Sequence, residues 1–302
     1  MSDPNPTPGD VTATISSLFV YPVKSCAGVS VREAVLTDTG LDLDRAWMVV
    51  DRDGGFVSQR ELPRMALIRP QMRLHDIVLR APGMLALHLQ IDAAEQPVRV
   101  RVWDDEVPAY DMGDLAAQWF TDFLAPASDL PAAPRLRQLR LARFDPEHRR
   151  LSSLQWTGGV EAPNQFADGF PLLVASEASL AHLNQRLVAG GHTAVGMERF
   201  RPNLVLAGID AHDEDRLEVL HIVAADALVQ IKPVKPCARC PIPNVDPATG
   251  VRSPEVGDTL QAYRQNPQLN GAVTFGMNAI VLAGDGQVLK VGQRVSASYR
   301  FD

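Results

Sequence analysis

Two cysteines separated by two residues carry the clearest chemical signal in the sequence. Cys237 and Cys240 lie in the segment 235–241, which also contributes the positive charges of Lys235 and Arg239. A thiolate is the form of cysteine that binds metals and attacks substrates, and nearby positive charge stabilises it. The segment therefore predicts chemically competent sulfur, acting as a metal ligand, a nucleophile or a redox pair.

Three ordinary interpretations of the cysteine pair compete with a specialised role. A structural zinc site needs four ligands, but Cys26 is the chain's one other cysteine and no His-x3–5-His pair completes the set. A thioredoxin-like dithiol should lie where a strand enters a helix, whereas Pro241 follows directly and residues 242–250 are predicted to form a loop. Two inert cysteines would suit a buried core better than this charged, proline-rich segment. On the residues alone, all three remain open.

The composition argues against several classes of protein. The 302 residues include 29 basic and 36 acidic side chains, so no basic excess indicates a nucleic-acid or anionic-lipid partner. Three cysteines do not make a disulfide framework, which favours a reducing compartment. Residues 1–13 lack the basic and apolar regions of a signal peptide and are predicted to be a disordered tail. No long apolar run predicts a transmembrane helix, so we expect a cytoplasmic protein that does not contact membranes.

Short strands at regular spacing dominate the first half of the chain. Two apolar runs, 47–50 and 56–57, flank the glycine-bearing loop 51–55 and predict a hairpin. The other predicted strands cover residues 15–23, 29–36, 77–79, 85–89 and 98–102. Strands at this spacing are typical of a barrel or a sandwich.

One helix is predicted to interrupt these strands near residues 114–123. Its apolar residues recur at helical spacing, and Asp114 is the predicted N-cap. The predicted apolar face consists of Leu115, Trp119, Phe120 and Phe123. The proline- and alanine-rich segment 125–134, which has no periodicity, is the predicted domain boundary.

The second half of the chain alternates predicted strands with another helix. Ser176 is the predicted N-cap, and Gly190 and Gly191 end the helix. Its predicted apolar face is Leu180, Leu183 and Leu187. The predicted strands cover residues 136–142, 171–175, 203–207, 227–231, 279–282 and 288–291. The whole pattern predicts a β-rich mixed α/β fold with two or three helices.

Several short motifs lie far from the cysteines along the chain. Each is weak alone, because an arginine or lysine at a strand end is usually a solvated charge, and Asp44 and Arg45 could form a surface ion pair. The motifs are Y-P-V-K-S (21–25), D-R-x-W (44–47), S-E-A-S-L (176–180), R-F-R-P-N (199–203), C-x-R-C (237–240) and V-D-P-x-T-G (245–250). In this order they resemble the MOSC family, which is named for the C-terminal domain of molybdenum cofactor sulfurase.

The resemblance extends from about Ile15 to Tyr299 and implies a two-part β-barrel architecture. Residues 14–124 resemble the MOSC N-terminal β-barrel domain, and residues 135–302 resemble the MOSC domain itself. Within the family, the chain is similar to the branch that reduces amidoximes and other N-hydroxylated compounds.

The resemblance also implies a molybdenum–molybdopterin cofactor. The one cysteine that ligates molybdenum in the family matches Cys240, which leaves Cys237 as a neighbour. Thiolate is a soft ligand and suits a soft metal bound by a dithiolene. The residues that match positions holding the pterin and the phosphate are Lys24, Ser25, Arg45 and Arg201. Their types agree with that role, because arginine offers a fork of donors, lysine a point charge and serine a short hydroxyl.

Other matching positions show where this chain departs from its relatives. Ala238 and Arg239 match residues that line the cofactor beside the cysteine ligand. Gly169 and Phe170 match a cofactor-contacting pair that carries small hydroxyl residues in the relatives, so only backbone contacts could survive there. Asn278 matches a tyrosine of those relatives.

The implied activity is that of a molybdenum-dependent oxidoreductase acting on amidoximes, hydroxylamines or N-hydroxylated bases. Asp168 would handle protons, although an aspartate that caps a strand end is an alternative. An iron–sulfur cluster needs about four cysteines, so the electrons are expected from a separate ferredoxin-, flavin- or cytochrome-type protein. Pyridoxal phosphate, sulfurase activity and a membrane anchor are not expected. A non-catalytic carrier of the cofactor, or of a persulfide on Cys240, is the alternative, and a plain dithiol protein is a third.

Overall fold

The computed structural model describes residues 9–93, 96–125, 134–225 and 227–300. The strands are β1 (Val11–Val20), β2 (Val29–Val31), β3 (Glu33–Thr37), β4 (Gly40–Leu41), β5 (Trp47–Asp51), β6 (Arg69–Met72), β7 (Asp76–Arg80), β8 (Leu87–Gln90), β9 (Gln96–Val102), β10 (Asp105–Asp111), β11 (Leu139–Phe144), β12 (Arg150–Leu151), β13 (Pro163–Asn164), β14 (Leu172–Ser176), β15 (Leu204–Ala207), β16 (Leu220–Ala224), β17 (Ala227–Ala238), β18 (Gln265–Asn266), β19 (Ala272–Ala283), β20 (Val288–Lys290) and β21 (Arg294–Ala297). The α-helices are α1 (Gly113–Leu124), α2 (Leu154–Thr157), α3 (Glu177–Ala189) and α4 (Glu255–Gln261). The predicted β-rich mixed fold is confirmed.

Seven strands close into a barrel in the order β14, β15, β1, β21, β16, β17 and β19. The barrel closes because β19 pairs with β14 as well as with β17. Strands β14 and β15 are parallel, and every other neighbouring pair in the barrel is antiparallel. Strand β1, from the beginning of the chain, fills the place between β15 and β21.

Alternating apolar residues of these strands form the barrel core. Ile15, Leu204, Ile222 and Val295 come from four different strands, and none is more than 1% exposed. Branched residues suit such a core, because they pack well against neighbours on a pleated surface. Burying each of these side chains stabilises the fold by about 1.5–3 kcal/mol.

A second, open sheet pairs β5 with β11, then β10, then β9, all antiparallel. Helix α1 packs on β11, and its buried residues follow the i, i+3, i+4, i+7, i+8 pattern of an amphipathic helix. The residues of this series are Ala116, Trp119, Phe120, Phe123 and Leu124, and Ala117 is buried beside them. The predicted helix is therefore present.

Two details of the α1 prediction are wrong. Gly113 begins the helix and Met112 occupies the N-cap position, so Asp114 lies within the first turn, where it accepts a hydrogen bond from Arg140. Leu115 is 76% exposed, because it precedes the buried i, i+3, i+4 series by one residue and therefore faces solvent.

The predicted hairpin at residues 47–57 is present only in part. The chain reverses at Gly54, whose φ of +77° is readily adopted by glycine, and Val50 bridges Phe56. Beyond this bridge, the partner of β5 is β11, so the hairpin does not extend into a ladder.

In the second half, the capping prediction for α3 is confirmed. The Ser176 hydroxyl accepts a hydrogen bond from the Ser179 amide at 3.1 Å, and the helix ends at Ala189, before Gly190. Leu183 and Leu187 are buried, and Leu180 is partly buried against the same cluster. Sequence patterning missed the strands β4, β6, β10, β12, β13, β16, β18 and β21 and the short helices α2 and α4.

The predicted tail and boundary fall partly outside the described residues. Of the predicted tail 1–13, residues 11–13 belong to β1, and residues 1–8 lie outside the described ranges. The predicted boundary segment 125–134 lies outside them at 126–133. The domain limits stay a prediction, and β1 and β5 each pair with strands from the other half of the chain.

Gly276 in β19 is expected to be intolerant of a side chain. Its φ is +74°, and a Cβ there would lie 2.7 Å from the Val174 carbonyl oxygen. Gly276→Ala should lower the free energy of unfolding by about 3 kcal/mol, since left-handed strain and overpacking combine. Denaturant titration would measure the loss.

The matched control for this substitution is Gly286→Ala. Gly286 has a similar φ of +78°, but nothing lies within 4 Å of an added Cβ. This variant should lose only the left-handed strain, about 1–2 kcal/mol. Equal losses in the two variants would contradict the proposed role of the barrel contact.

Candidate cofactor and active site

The register of the barrel brings the polar motifs to one rim. Near the end of β1, Leu18 pairs with Leu204 at the start of β15, and β14 starts beside β15 because the two are parallel. On the far side of β14, Leu173 pairs with Asn278, and Asn278 pairs with Lys235 near the end of β17. Segments that are distant in sequence therefore surround one opening.

That opening is a pocket whose empty space, about 770 Å³, includes space open to solvent. Ten of the eleven predicted site residues line it: Lys24, Ser25, Arg45, Asp168, Phe170, Arg201, Ala238, Arg239, Cys240 and Asn278. The eleventh, Gly169, lies between two lining residues but does not itself line the pocket. A Cβ added at Gly169 would meet no atom within 4 Å, so the missing side chain leaves open space there.

Three of the lining residues have left-handed backbone conformations. Their φ angles are +66° for Ser25, +51° for Arg45 and +57° for Arg201. Each such conformation costs about 1–3 kcal/mol in a residue other than glycine, and strain of this kind clusters at functional sites. The strain points to a constraint on where these side chains must lie.

The ring of Tyr21 lies between two guanidinium groups. The Cζ of Arg45 is 4.4 Å from the ring centroid, and that of Arg201 is 4.3 Å from it. Burial strongly raises the pKa of the Tyr21 hydroxyl, even though both arginines oppose the shift, so the phenol stays neutral. A neutral ring between the cations lets both approach one pocket with less mutual repulsion.

Arg45 is anchored on its other edges. Its Nη1 contacts the Asp44 carboxylate and donates to Asn203 Oδ1 at 3.1 Å, and Nη2 donates to the Arg201 carbonyl at 3.0 Å. Asp44 is buried and also accepts the Tyr21 amide at 2.8 Å. Asp44 and Arg45 are therefore not the surface ion pair that the sequence allowed.

Arg201 and Arg239 keep unused donors beside the pocket. Arg201 donates from Nη1 to the Cys26 carbonyl at 2.5 Å, but its buried Nη2 has no partner among the described residues. Arg239 donates from Nη2 to the Phe200 carbonyl at 2.9 Å, and its Nε is likewise unpartnered. Burial and the charge of Arg45 lower the pKa of Arg201 to about 10, so it remains charged at neutral pH. Unsatisfied buried donors favour an anionic ligand.

Lys24 and Asp168 form the one direct ion pair inside the pocket among the described residues. Lys24 is buried, and its Nζ contacts Asp168 Oδ1 at 2.5 Å and donates to the Phe166 carbonyl at 2.7 Å. Burial opposes ionisation of Asp168, but the Lys24 charge outweighs it and lowers the pKa of that carboxyl. The Asp168 side chain is 66% exposed, so solvent screens part of this attraction.

The two cysteines of the motif differ in their contacts. Cys237 and Cys240 are free, partly buried and line the pocket, and Arg239 Nη1 lies 3.0 Å from Cys237 Sγ. Cys26 is fully buried, and burial raises the pKa of its thiol to about 12, which keeps it unreactive. Among the described residues, no group of three or more His, Cys, Asp and Glu side chains converges as a metal site would.

Ten lining residues were not among the predicted site residues, and they include Phe56, Ser58, Arg60 and Asn203. Asn203 is buried and joins three segments: its Oδ1 accepts from Arg45 and from the Leu173 amide, and its Nδ2 donates to the Phe19 carbonyl. Its place in the R-F-R-P-N motif could have indicated it. Phe56, Ser58 and Arg60 come from the loop after β5 and have no motif signal.

Comparison with known proteins agrees with this geometry. Residues 12–127 match the MOSC N-terminal beta barrel domain, and residues 161–296 match the MOSC domain. The chain has both of these domains and belongs to the MOSC family. The family predicted from the motifs is therefore confirmed.

Individual relatives are similar over most of the chain. Mitochondrial amidoxime reducing component 2 of Rattus norvegicus is 34% identical over 262 residues, which cover 83% of this chain and 72% of the relative. Mitochondrial amidoxime-reducing component 1 of Homo sapiens is 36% identical with the same coverage. A solved Bacillus subtilis protein is 12% identical, covers 96% of this chain and 98% of its own, and has a TM-score of 0.39, too low to support an argument.

In the part of the chain that the structure describes, every helix is too short or too polar to cross a membrane.

The contribution of Asp168 to stability is expected to depend on pH. Its pKa is lowered in the folded protein, so its ionised form stabilises the fold above the ordinary aspartate pKa of about 3.9. That stabilisation disappears as the pH falls through this value and then through the lower folded pKa. Asp168→Asn should therefore lower the free energy of unfolding at pH 6 and have a shrinking effect towards pH 3, as measured by urea titration.

Asp104→Asn is the control, because Asp104 is exposed and has no ion-pair partner in the described ranges. It should change stability little at either pH. A difference between wild type and Asp168→Asn that stays constant from pH 6 to pH 3 would contradict the ion-pair argument.

Proposed function

We propose that this protein is a molybdenum-cofactor-dependent oxidoreductase that reduces N-hydroxylated small molecules with electrons from a separate donor protein. The observation that carries the proposal is the convergence of a cysteine and several cations, two of them with unused buried donors, on one pocket. The amidoxime-reducing names of the relatives support the same activity.

The lining suits a cofactor that carries a phosphate and a thiolate-bound metal. Five basic side chains line the pocket against one carboxylate, that of Asp168. The basic residues are Lys24, Arg45, Arg60, Arg201 and Arg239. Arginine forks bind phosphate oxygens in pairs, and the free donors of Arg201 and Arg239 would gain partners in this way. When bound, the molybdenum cofactor supplies two-electron oxygen-transfer chemistry.

Each residue has a distinct part in holding this group. Cys240 would provide the thiolate ligand, since it lies in the pocket and soft sulfur suits the metal. Arg45 and Arg201 would bind the phosphate, fixed by their shared contact with Tyr21. The Ser25 hydroxyl would contribute one further hydrogen bond.

Proton supply follows from the balance of the reaction. Converting an N–OH group to N–H and water consumes two electrons and two protons. Asp168 borders the pocket with a largely exposed carboxylate, so it would handle protons by accepting hydrogen bonds from the water that delivers them to the substrate oxygen. Lys24, held by the Phe166 carbonyl, orients this carboxylate and keeps it ionised.

The opposite wall of the pocket would contact the rest of the substrate. Phe170 and Asn278 line this wall, which therefore offers one ring face and one amide. Lys235 lies over Trp156 at 4.9 Å and over Phe170 at 5.9 Å, which fixes the orientation of the aromatic pair. Planar amidines and bases would pack against such a wall.

Cys240→Ala and Cys237→Ala form a matched test of the proposal. Cys240→Ala should lower the molybdenum content at least about tenfold, because a metal ligand is lost, and should abolish reduction of benzamidoxime by reduced methyl viologen. Cys237→Ala should keep metal, pterin and turnover. Metal would be measured by mass spectrometry, and pterin by fluorescence after acid and iodine oxidation.

Other outcomes would favour the alternatives. Full molybdenum and activity in Cys240→Ala would sink the assignment of the ligand. Cofactor-loaded protein that fails to reduce benzamidoxime but restores an acceptor apoenzyme would be a carrier. Metal-free protein with a reversible Cys237–Cys240 disulfide would be a dithiol protein.

A further inference from the structure

Trp103 holds an unusual position at the surface. It lies in the two-residue turn between β9 and β10, where Val102 pairs with Asp105, and its φ is +56°. A bulky residue in the left-handed region is an outlier, because small or amide residues usually occupy it. Even so, 41% of this residue is exposed, so local strain presents an indole to solvent. Because strained residues cluster at functional sites, Trp103 is a candidate for a functional role.

Trp103 also reaches the pocket through one intervening ring. The indole and the Phe56 ring have centroids 5.0 Å apart, and Phe56 lines the pocket. On its other side, the Phe56 ring centroid is 5.4 Å from Lys24 Nζ. A continuous line of side-chain contacts therefore joins the protein surface to the residues that surround Cys240.

Two arginines lie near the exposed indole, and neither has an ion-pair partner in the described part of the chain. Arg60 Cζ lies 4.4 Å from the Trp103 ring, and its Nε donates to Ser58 Oγ at 3.2 Å. Arg252 is exposed and donates to the Arg60 carbonyl, and its neighbour Val251 is 61% exposed. The patch thus combines apolar area with uncompensated positive charge.

Nearby carboxylates are largely neutralised by other partners. Asp53 pairs with Arg52, Asp105 with Arg150, Glu106 with Arg99 and Asp168 with Lys24. Asp104 is next to the indole, is exposed and forms no ion pair with any described residue. Arg60 and Arg252, which have no ion pair in the described residues, outnumber Asp104, so the patch is positive although the whole chain carries a net charge of −7.

We propose that the patch of Trp103, Arg60, Val251 and Arg252 is the docking surface for an acidic one-electron carrier protein. This inference rests on the proposed function, which needs an external donor to deliver two electrons one at a time. Trp103 and Phe56 would connect the carrier's redox centre to the pocket through packed side chains. Complementary charge would steer the encounter, and the exposed indole would anchor it.

The test compares two sources of electrons for the same reaction. In the double variant Trp103→Asn/Arg252→Glu, the asparagine at position 103 tolerates the left-handed turn. Arg60, which lines the pocket, is left unchanged. With a reduced plant-type [2Fe–2S] ferredoxin as donor, the KM for ferredoxin should rise about tenfold, because an anchor and a charge are lost. Reduction of benzamidoxime by reduced methyl viologen should stay within twofold of wild type.

The matched control is Leu74→Asn/Arg73→Glu, which changes an exposed apolar residue and an exposed arginine in the turn between β6 and β7. It should leave the KM for ferredoxin unchanged. The wild-type KM should also rise with ionic strength, whereas that of the Trp103→Asn/Arg252→Glu variant should respond less.

Several results would overturn the docking surface. One is an unchanged KM for ferredoxin in the Trp103→Asn/Arg252→Glu variant, and another is an equal loss of activity with both donors in that variant. A wild type that turns over with viologen but not with ferredoxin, or a wild-type dimer that this variant dissociates, would also overturn it. If viologen supports no turnover, the proposed function fails separately. Calorimetric titration of ferredoxin into wild type and both variants then decides the docking surface without any activity, and equal affinities would overturn it.

Discussion

The pairing of β19 with β14 closes the barrel, and the candidate site depends on that closure. Closure fixes the register of every strand, because a shift by one residue would turn each side chain to the opposite face. Asn278 pairs with Leu173 on one side and with Lys235 on the other. That register carries the end of β17, which contains Cys237 and is followed by Cys240, to the rim where β1 ends and β15 begins. The chemistry of the site therefore depends on backbone hydrogen bonds in the barrel wall, although these bonds involve no side chain of the site.

Around this rim, strained backbone conformations and the repulsion between like charges are both unfavourable, and the fold tolerates them. Arg45 and Arg201 approach the same tyrosine ring, and both have left-handed backbones. Buried Asp44 offsets the charge of Arg45, while Arg201 retains a donor that no described residue accepts. Such an arrangement is costly in the absence of an anion and becomes favourable once one is bound, which is the expected signature of a preorganised phosphate site.

Much of the fold could be predicted from local sequence patterns, and the predictions that failed did so for physical reasons. Strand and helix types followed from periodicity and capping, as Ser176 shows. Asp114 failed as a cap because Gly113 begins the helix one residue earlier, and Leu115 lay one position off the buried series. Strand pairing was beyond reach, because β1 and β5 find partners more than 80 residues away, at Leu204 and Leu139 among others. The motifs identified ten of the twenty residues that line the pocket, but Phe56, Ser58 and Arg60 belong to a loop with no motif of its own.

Strand β1 has a consequence for how this chain can be divided. It is the first strand in sequence, yet it lies between β15 and β21 and shields one side of each. A fragment containing only the later residues would have a gap in its wall and two rows of unpaired backbone groups facing each other. Exposed edges of this kind recruit strands from other molecules and lead to aggregation. The part of the chain with the cysteines is therefore not a self-contained module: its solubility depends on ten residues, Val11–Val20, made before any of it.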